Sequence, residues 1–489
     1  MSGATACGGG WISEPGGPRI CARAAVALAV DALRLSGVRP GDRLLASGPT
    51  GPSLAVLVVA ALQLDVSLAL LDDGADDVSV ARAVHDAAPT ALVGVRTQAL
   101  GAEGLAGSPL VLGPAADLLA GALAGSAPDG RACRDRCATG VDEPGPGAWA
   151  DREDGIVMWT SGSTGRRKGI VRRGGAVLDN VDMTVRVMGY RSDDVLVPLL
   201  PVTHQYGMSI VVAWWLVGCG LVLGDPRRPV QAFERALRSG ATVVDCAPAV
   251  LHDLLRRVVR DDLDVTRVRM WCTGGAPLSP ALRRACADIV GAPPLDGYGS
   301  TELGNVALAT LDDTVACGRP LPGIAARVVD AADREVATGV EGRLLVRSPW
   351  SYHRRLEAGV PMPDDGGWTD TGDLARVDEQ GRLEVRGRAH AVHRNGITIY
   401  PAALEAAARD AGLPVLVVVA PDERRGSHLT AVVEHDGDVP AESWSDRLRG
   451  VLPRDEWPNR VVVLDELPRA SSGKVDLAAL ALLVRPPGR

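Results

Sequence analysis

Short apolar runs alternate with amphipathic helical segments along most of the chain. Residues 22–36 have the spacing of an amphipathic helix that ends at Gly37 and Pro40, and residues 43–46 follow as a short strand. The run at residues 156–159 is apolar throughout, as in a strand that is buried on both faces. Because alternating strands and helices pack as layers, the pattern predicts an α/β fold.

The pattern changes in the second half of the chain. Between residues 317 and 385 the apolar positions alternate with a period of two, which predicts a small antiparallel, barrel-like sheet. After about residue 388 a predicted helix at 402–410 and two apolar strands form a further unit. The predicted fold class is α/β, with a large N-terminal part of α/β layers, the small sheet and a small C-terminal α+β domain.

Charge and composition exclude several function classes. The 489 residues carry 52 Lys+Arg and 60 Asp+Glu, for a net charge of -8, so the surface as a whole has no electrostatic reason to bind nucleic acid or anionic membrane. The apolar stretches at 54–71 and 209–223 are predicted core segments, since the first is interrupted by polar residues and the second is too short to span a bilayer. Nine dispersed cysteines without zinc-ligand spacing favour reduced thiols in a cytoplasmic protein.

Only two of the 52 basic residues are lysines, Lys168 and Lys474, and the other fifty are arginines. A coding bias toward arginine explains the surface, but it does not explain why these two positions remain lysine. An ammonium group is a compact point charge on a thin stem, whereas a guanidinium is a broad planar fork. Two narrow sites that need a cation between crowded oxygens would accept lysine and reject arginine.

The first lysine lies in a segment rich in glycine and hydroxyl residues. Glycines allow tight turns in which successive N–H groups and hydroxyls converge on an anion, although the spacing differs from that of a Walker loop. A plain turn, or the loop of a serine-nucleophile amidase, remains an alternative interpretation of this segment taken alone. Its residues are Thr160, Ser161, Gly162, Ser163, Thr164, Gly165, Arg166, Arg167, Lys168 and Gly169.

This segment resembles the phosphate loop of the adenylate-forming superfamily, which comprises acyl- and aryl-CoA ligases, luciferases and peptide-synthetase adenylation domains. A second segment is similar to the YGxTE motif of that superfamily. The resemblance implies that Tyr298 packs on adenine, that Thr301 contacts the α-phosphate and that Glu302 holds Mg²⁺. The segment consists of Asp296, Gly297, Tyr298, Gly299, Ser300, Thr301 and Glu302.

Four further motifs follow the family pattern in the expected order. Gly274, Gly275, Ala276 and Pro277 resemble the loop that borders adenine. The resemblance implies that Asp373, at the end of a TGD motif, and Arg388, after Gly387, both reach the ribose of ATP. It also places the boundary between a domain of residues 1–387 and a small mobile domain of residues 388–489. The tail motif at 468–474 ends in Lys474, which would bridge the substrate carboxylate and the α-phosphate.

The two lysines then acquire a chemical meaning. Formation of an acyl-adenylate brings an anionic carboxylate onto an anionic phosphate, and the repulsion has to be neutralised in the transition state. Lys474 is the expected group for this task. Lys168 would meet the β- and γ-phosphates, and Mg²⁺ on Glu302 would assist the departure of pyrophosphate. ATP and Mg²⁺ are therefore the implied cofactors.

The acid substrate is less well defined by the sequence. His204 aligns with the segment that borders the acid pocket in acyl- and aryl-CoA ligases, and it is a candidate catalytic residue or a core histidine. No aspartate lies between residues 201 and 215 to pair with an α-ammonium group, which favours an aryl or other acid that is not an α-amino acid.

The acceptor of the second step remains open. His390 and Ala391 depart from the family pattern at the hinge, so thioester formation is less firmly implied than adenylation. The acceptor could be CoA, the phosphopantetheine arm of a separate carrier protein, or an amine in an amide synthetase. A nucleotide-binding protein of the same fold without turnover, and a serine amidase without ATP, are the competing functions.

Overall fold

The computed structural model describes most of the chain, with gaps at several loops. Among the described residues, no helix is both long and apolar enough to cross a bilayer. The described residues are 10–75, 77–100, 109–124, 147–160, 168–356, 367–388, 392–394, 397–399, 401–422, 426–435, 437, 439–452, 456–470 and 474–485.

The strands occur in every part of the described chain. In chain order they are β1 Trp11–Ser13, β2 Ile20–Cys21, β3 Arg43–Ser47, β4 Ser67–Leu71, β5 Ala91–Val93, β6 Leu110–Leu112, β7 Ile156–Thr160, β8 Lys168–Arg172, β9 Val195–Pro198, β10 Gly220–Val222, β11 Val243–Cys246, β12 Met270–Gly274, β13 Leu295–Ser300, β14 Gly304–Leu308, β15 Arg319–Pro320, β16 Ala325–Val329, β17 Gly342–Arg347, β18 Arg354–Leu356, β19 Thr369–Val377, β20 Leu383–Arg388, β21 Val392–Arg394, β22 Ile397–Ile399, β23 Leu416–Asp422, β24 Gly426–Glu434 and β25 Arg460–Leu464.

Helices connect most of these strands, and a 3₁₀ turn covers Thr97–Leu100. The helices are α1 Ala22–Leu35, α2 Pro52–Gln63, α3 Asp77–Ala87, α4 Ala115–Leu118, α5 Ala120–Ala124, α6 Gly147–Ala150, α7 Gly174–Met188, α8 Gln205–Val217, α9 Pro229–Arg238, α10 Pro248–Asp261, α11 Pro280–Val290, α12 Pro401–Asp410, α13 Ala441–Val451 and α14 Leu477–Leu483.

Two large sheets with mostly parallel strands form the N-terminal part. The first has the order β15-β14-β13-β12-β11-β9-β10-β1-β2 and is parallel from β13 through β1. The second has the order β18-β8-β7-β4-β3-β5-β6 and is parallel from β7 to β6. One apolar core contains residues of both sheets and of helices α1, α2, α7 and α8.

The helices between the sheets explain the two long apolar stretches. Nearly every residue of α2 is buried, and α8 is buried over most of its length. A helix that is covered on all sides needs no polar face, so it can resemble a membrane span in sequence. Residues 54–71 and 209–223 are therefore core helices followed by strands, as the sequence predicts.

Two smaller units complete the fold. Strands β16, β17, β19 and β20 form an antiparallel sheet around buried Leu344, Val346 and Leu383, as predicted from the alternating pattern. In the C-terminal unit, the three-stranded sheet β23-β24-β25 packs with α12 and α13 around an apolar core that includes Leu404 and Trp444. The predicted fold class is confirmed, while the domain boundary at 387/388 stays a prediction.

Candidate active site

The floor of the candidate site lies where β12 and β13 end, at the carboxyl edge of the nine-stranded sheet. Gly274 pairs with Gly297 in the parallel ladder. A Cβ atom at Gly274 would lie 3.0 Å from Cε1 of Tyr206 and 3.2 Å from the carbonyl oxygen of Gly297. Gly275 has φ of +81°, in the left-handed region that favours glycine. The two glycines therefore bring the backbone of this loop close to the aromatic ring, and Ala276 follows them at the surface.

A hydrogen bond joins the two predicted nucleotide-binding motifs on neighbouring sheets. The hydroxyl of Tyr298 on β13 donates to Oδ2 of Asp373 on β19 over 2.7 Å. The backbone N–H of Asp373 donates to the hydroxyl of Thr371 over 3.1 Å. In the register of β19 and β20, Asp373 lies opposite Arg388, whose side chain is outside the described residues. The predicted adenine-contacting and ribose-contacting residues are thus brought together.

The glycine- and hydroxyl-rich segment is anchored by an antiparallel strand pair. Thr160 ends β7 and pairs with Lys168, the first residue of β8. Both side chains are half-buried. The loop between them, with Ser161, Gly162, Ser163, Thr164 and Gly165, lies outside the described residues. The β7–β8 pairing therefore holds Thr160 and Lys168 side by side, with residues 161–167 between them in the sequence.

A tight turn follows Tyr298 and carries the predicted metal ligand. Gly299 approaches the next strand so closely that a Cβ there would lie 2.5 Å from the carbonyl oxygen of Gly304. The hydroxyl of Ser300 accepts from the N–H of Leu303 over 3.2 Å and so closes the turn. The turn leaves the side chains of Thr301 and Glu302 half-buried.

Glu302 fits Mg²⁺ only as one carboxylate ligand that shares the ion with phosphate and water. Within the described parts of the chain, no group of three or more His, Cys, Asp or Glu residues could hold a metal ion. Mg²⁺ is commonly bound by one or two carboxylates together with substrate phosphates and water. The single half-buried carboxylate of Glu302 is compatible with that mode, and within the described residues a cage made only of protein ligands is not.

The side chain of Asp296 points into the interior rather than along the glycine loop. It accepts from the hydroxyl of Thr273 over 3.2 Å and from Sγ of Cys317 over 3.5 Å, and Arg283 lies 3.8 Å away. Burial raises the pKa of Asp296 to about 6, against the opposing influence of Arg283. These contacts join Asp296 on β13 to Thr273 on β12 and to Cys317, and they leave the residue 6% exposed.

His204 and Lys474 approach one another from distant parts of the chain. A Cβ at Gly275 would lie 3.7 Å from Cε and 3.8 Å from Nζ of Lys474, so the tail lysine lies over the glycine loop. Burial and then the Lys474 ammonium lower the pKa of His204 to about 4, while Asp72 acts in the opposite direction. His204 is therefore neutral at neutral pH and accompanies a lysine cation.

A group of polar side chains that the sequence motifs do not predict includes Gln205 and Tyr206, which follow His204 at the start of α8. The hydroxyl of Tyr206 donates to Oδ1 of Asp245 over 2.9 Å, and burial raises the pKa of Asp245 to about 7. Nη1 of Arg172 donates to Oε1 of Gln205 over 3.0 Å. The sequence feature that could have revealed this group is a charged residue within an apolar strand. Asp245 in β11 and Arg172 in β8 both have this feature.

A family comparison decides the assignment. The model of the family described as "AMP-binding enzyme" matches residues 22–353. The chain belongs to the AMP-binding enzyme family. This family assignment confirms the adenylate-forming resemblance drawn from the motifs.

Curated relatives give the same classification. The chain is 30% identical over 339 residues to an indoleacetate–CoA ligase from Aromatoleum aromaticum, covering 65% of each chain. It is 26% identical over 328 residues to a 2-succinylbenzoate–CoA ligase from Enterococcus faecalis, covering 65% of this chain and 67% of the relative. The chain thus spans about two thirds of the length of these relatives.

Solved structures extend the likeness to nearly the whole chain. The structure of ATP-bound MatB from Rhodopseudomonas palustris has a TM-score of 0.80 at 25% identity and covers 97% of this chain and 95% of that one. An o-succinylbenzoate CoA synthetase from Bacillus subtilis, in complex with its acyl-adenylate intermediate, has a TM-score of 0.76 at 21% identity, with 94% and 93% covered. The second likeness concerns the fold alone.

Proposed function

We propose that this protein activates a carboxylic acid with ATP, releases pyrophosphate and transfers the acyl group from the adenylate to a thiol. The observation that carries the proposal is the position of Lys474. Its Cε and Nζ lie close to Gly275, and its charge lowers the pKa of His204. A reaction between two anions needs a cation at this place, and the ammonium of Lys474 supplies one.

The nucleotide binds across the glycine loop and the Tyr298–Asp373 pair. The ring of Tyr298 offers an aromatic face to the base, and the carboxylate of Asp373 can accept from the ribose hydroxyls. Thr160 and Lys168 hold the two ends of the phosphate loop. Mg²⁺, when bound, neutralises phosphate charge, and Glu302 is the carboxylate that would hold it.

The acid carboxylate lies between Lys474 and neutral His204. A neutral imidazole can donate one hydrogen bond to the carboxylate without adding a second positive charge beside the lysine. The ammonium of Lys474 stabilises the charge that develops as the carboxylate oxygen attacks the α-phosphate. An aryl or other acid that is not an α-amino acid fits the helix start at α8, where no aspartate is present between residues 201 and 215.

CoA is the favoured acceptor because the curated relatives are CoA ligases. The alternative acceptor is a phosphopantetheine arm on a separate carrier protein, which presents the same thiol group. The proposed division into a domain of residues 1–387 and a domain of residues 388–489 suits a reaction in two steps, because the second domain carries Lys474, the residue proposed for adenylate formation. His390 and Ala391, at this hinge, lie outside the described residues.

ATP–pyrophosphate exchange over a panel of aryl and aliphatic acids tests the proposal. We expect acid-dependent exchange in the wild type and thioester formation when CoA is added. Lys474→Ala should lower the exchange rate by about 10²–10³ while ATP still binds. Arg460→Ala, which removes an exposed cation from the same C-terminal unit, is the control and should be fully active.

Two outcomes would replace the proposal with another function. ATP binding without exchange for any acid would indicate a nucleotide-binding protein without turnover. Amide hydrolysis that needs no ATP would indicate a serine amidase. A hydroxylamine trap in place of CoA separates the steps, because it captures an acyl-adenylate even when thioester formation fails.

A further inference from the structure

Arg172 is a buried cation that has no anionic partner among the residues that the structure describes. Only 1% of the residue is exposed. Its Nη1 donates to Oε1 of Gln205 over 3.0 Å and its Nη2 donates to the carbonyl oxygen of Trp350 over 3.2 Å. Burial lowers the pKa of Arg172 to about 10, so the guanidinium remains charged at neutral pH. Among the described residues no carboxylate forms an ion pair with it, although a buried charge is normally paired.

Two hydrogen-bond donors at this place have no acceptor within the described part of the chain. Nε of Arg172 and Nε2 of Gln205 are both buried, and neither has a hydrogen-bond partner among the described residues. Gln205 is 5% exposed. Native proteins rarely leave buried donors unpaired, and here two of them belong to side chains that already contact each other. The pair therefore lacks an acceptor group that carries negative charge.

The pair lies beside the proposed reaction centre. Gln205 is the first residue of α8 and directly follows His204, whose pKa responds to Lys474. On the other side, Nη2 of Arg172 would lie 2.7 Å from a Cβ at Gly304, two residues after Glu302. The cation is thus held between the start of α8 and the turn that carries Glu302, on the acid side of the site.

We propose that Arg172 and Gln205 bind a second carboxylate of the substrate, so that the protein activates one end of a dicarboxylic acid. This inference rests on the proposed function. A guanidinium and an amide N–H together can hold a carboxylate through charge-assisted hydrogen bonds. Binding of the second carboxylate supplies both missing partners at once, the counter-charge of Arg172 and the acceptor for the unpaired donors.

A paired substrate panel tests the inference. Exchange rates are measured with the dicarboxylates from malonate to adipate, and with isophthalate and terephthalate, each against the monocarboxylate of the same carbon skeleton. We expect kcat/KM for the best diacid to exceed that of its monoacid by at least about tenfold, because the monoacid leaves the buried cation unpaired. Equal or faster exchange with monoacids throughout the panel would overturn the inference.

Three variants separate recognition from a structural role. Arg172→Met should raise KM for the best diacid by at least about tenfold and leave KM for its monoacid nearly unchanged. Gln205→Glu brings a carboxylate to Arg172 from within the chain, so it should raise KM for the diacid while thermal stability is kept. Arg173→Met removes the adjacent exposed cation and should change neither KM. Equal changes of KM for diacid and monoacid would show that Arg172 only supports the fold.

A binding measurement distinguishes failure of this inference from failure of the proposed function. The best diacid should raise the unfolding temperature of the wild type without ATP, and it should not do so for Arg172→Met. If no acid supports exchange but this stabilisation is observed, the ligase function is wrong and the dicarboxylate site stands. If exchange occurs with monoacids and the diacids give no stabilisation, the ligase function stands and the dicarboxylate site is wrong.

Discussion

The proposed nucleotide side and the proposed acid side of the site are built in different ways. On the nucleotide side, glycines and short polar motifs at strand ends shape the site, as at Gly274, Gly275 and the Tyr298–Asp373 hydrogen bond. On the acid side, single polar side chains are buried within apolar elements, as with Arg172 in β8 and Asp245 in β11. ATP is the same ligand whichever acid is activated, so backbone geometry can hold it. Selection among acids depends on individual side chains.

This difference predicts separable kinetic effects. Tyr298→Phe removes the hydroxyl that donates to Asp373 over 2.7 Å. Because this hydroxyl positions the carboxylate that is proposed to accept from the ribose, we expect its loss to raise KM for ATP by roughly three- to tenfold. KM for the acid should stay within about twofold. Initial-rate kinetics with each substrate varied in turn checks this.

A rise in both Michaelis constants would contradict the separation between the two sides. The reciprocal variant is Arg172→Met, which we expect to act on the acid and to leave KM for ATP unchanged. Together the two variants test whether the two sides of the site can be altered independently.

Buried Asp245, on the proposed acid side, should make the stability of the protein depend on pH, and this effect is smaller than the kinetic ones. Burial raises the pKa of Asp245 from 3.8 to about 7, so the fold favours the protonated carboxyl. The stabilising contribution is complete below pH 3.8 and is lost as the pH rises through about 7. Asp245→Asn cannot ionise, and its amide oxygen can still accept from Tyr206.

We therefore expect Asp245→Asn to unfold about 2–4 °C above the wild type at pH 8.5, and to show a clearly smaller gain at pH 5, where only part of the wild-type contribution has been lost. Thermal unfolding followed by circular dichroism at both pH values is the measurement. A gain of equal size at both pH values would show that titration of Asp245 is not its cause.

Much of the fold and of the nucleotide side could be predicted from the sequence. Helix α1 and strands β3 and β7 follow local apolar periodicity, which is visible without tertiary information. The glycine loop and the Asp373 motif are recognisable because tight turns restrict the residue types that they accept. The family and fold predictions are confirmed, and the roles of the individual site residues stay predictions.

The acid side could not be predicted in the same way. Arg172 ends an apolar strand, and its partners Gln205 and Trp350 are 33 and 178 residues away in the sequence. Local periodicity therefore does not reveal them. That no carboxylate among the described residues pairs with it becomes apparent only from the three-dimensional structure. Asp296 illustrates the converse, because it lies within a recognisable motif while its carboxylate faces the interior.

The most direct test of the account is the exchange activity of Lys474→Arg. Arginine keeps the positive charge but replaces a slender ammonium with a broad planar group, which does not fit between two reacting oxygens beside Gly275. We predict ATP binding close to that of the wild type and exchange reduced by at least about 10². Exchange at the wild-type rate would show that the shape of the lysine is not what the reaction requires.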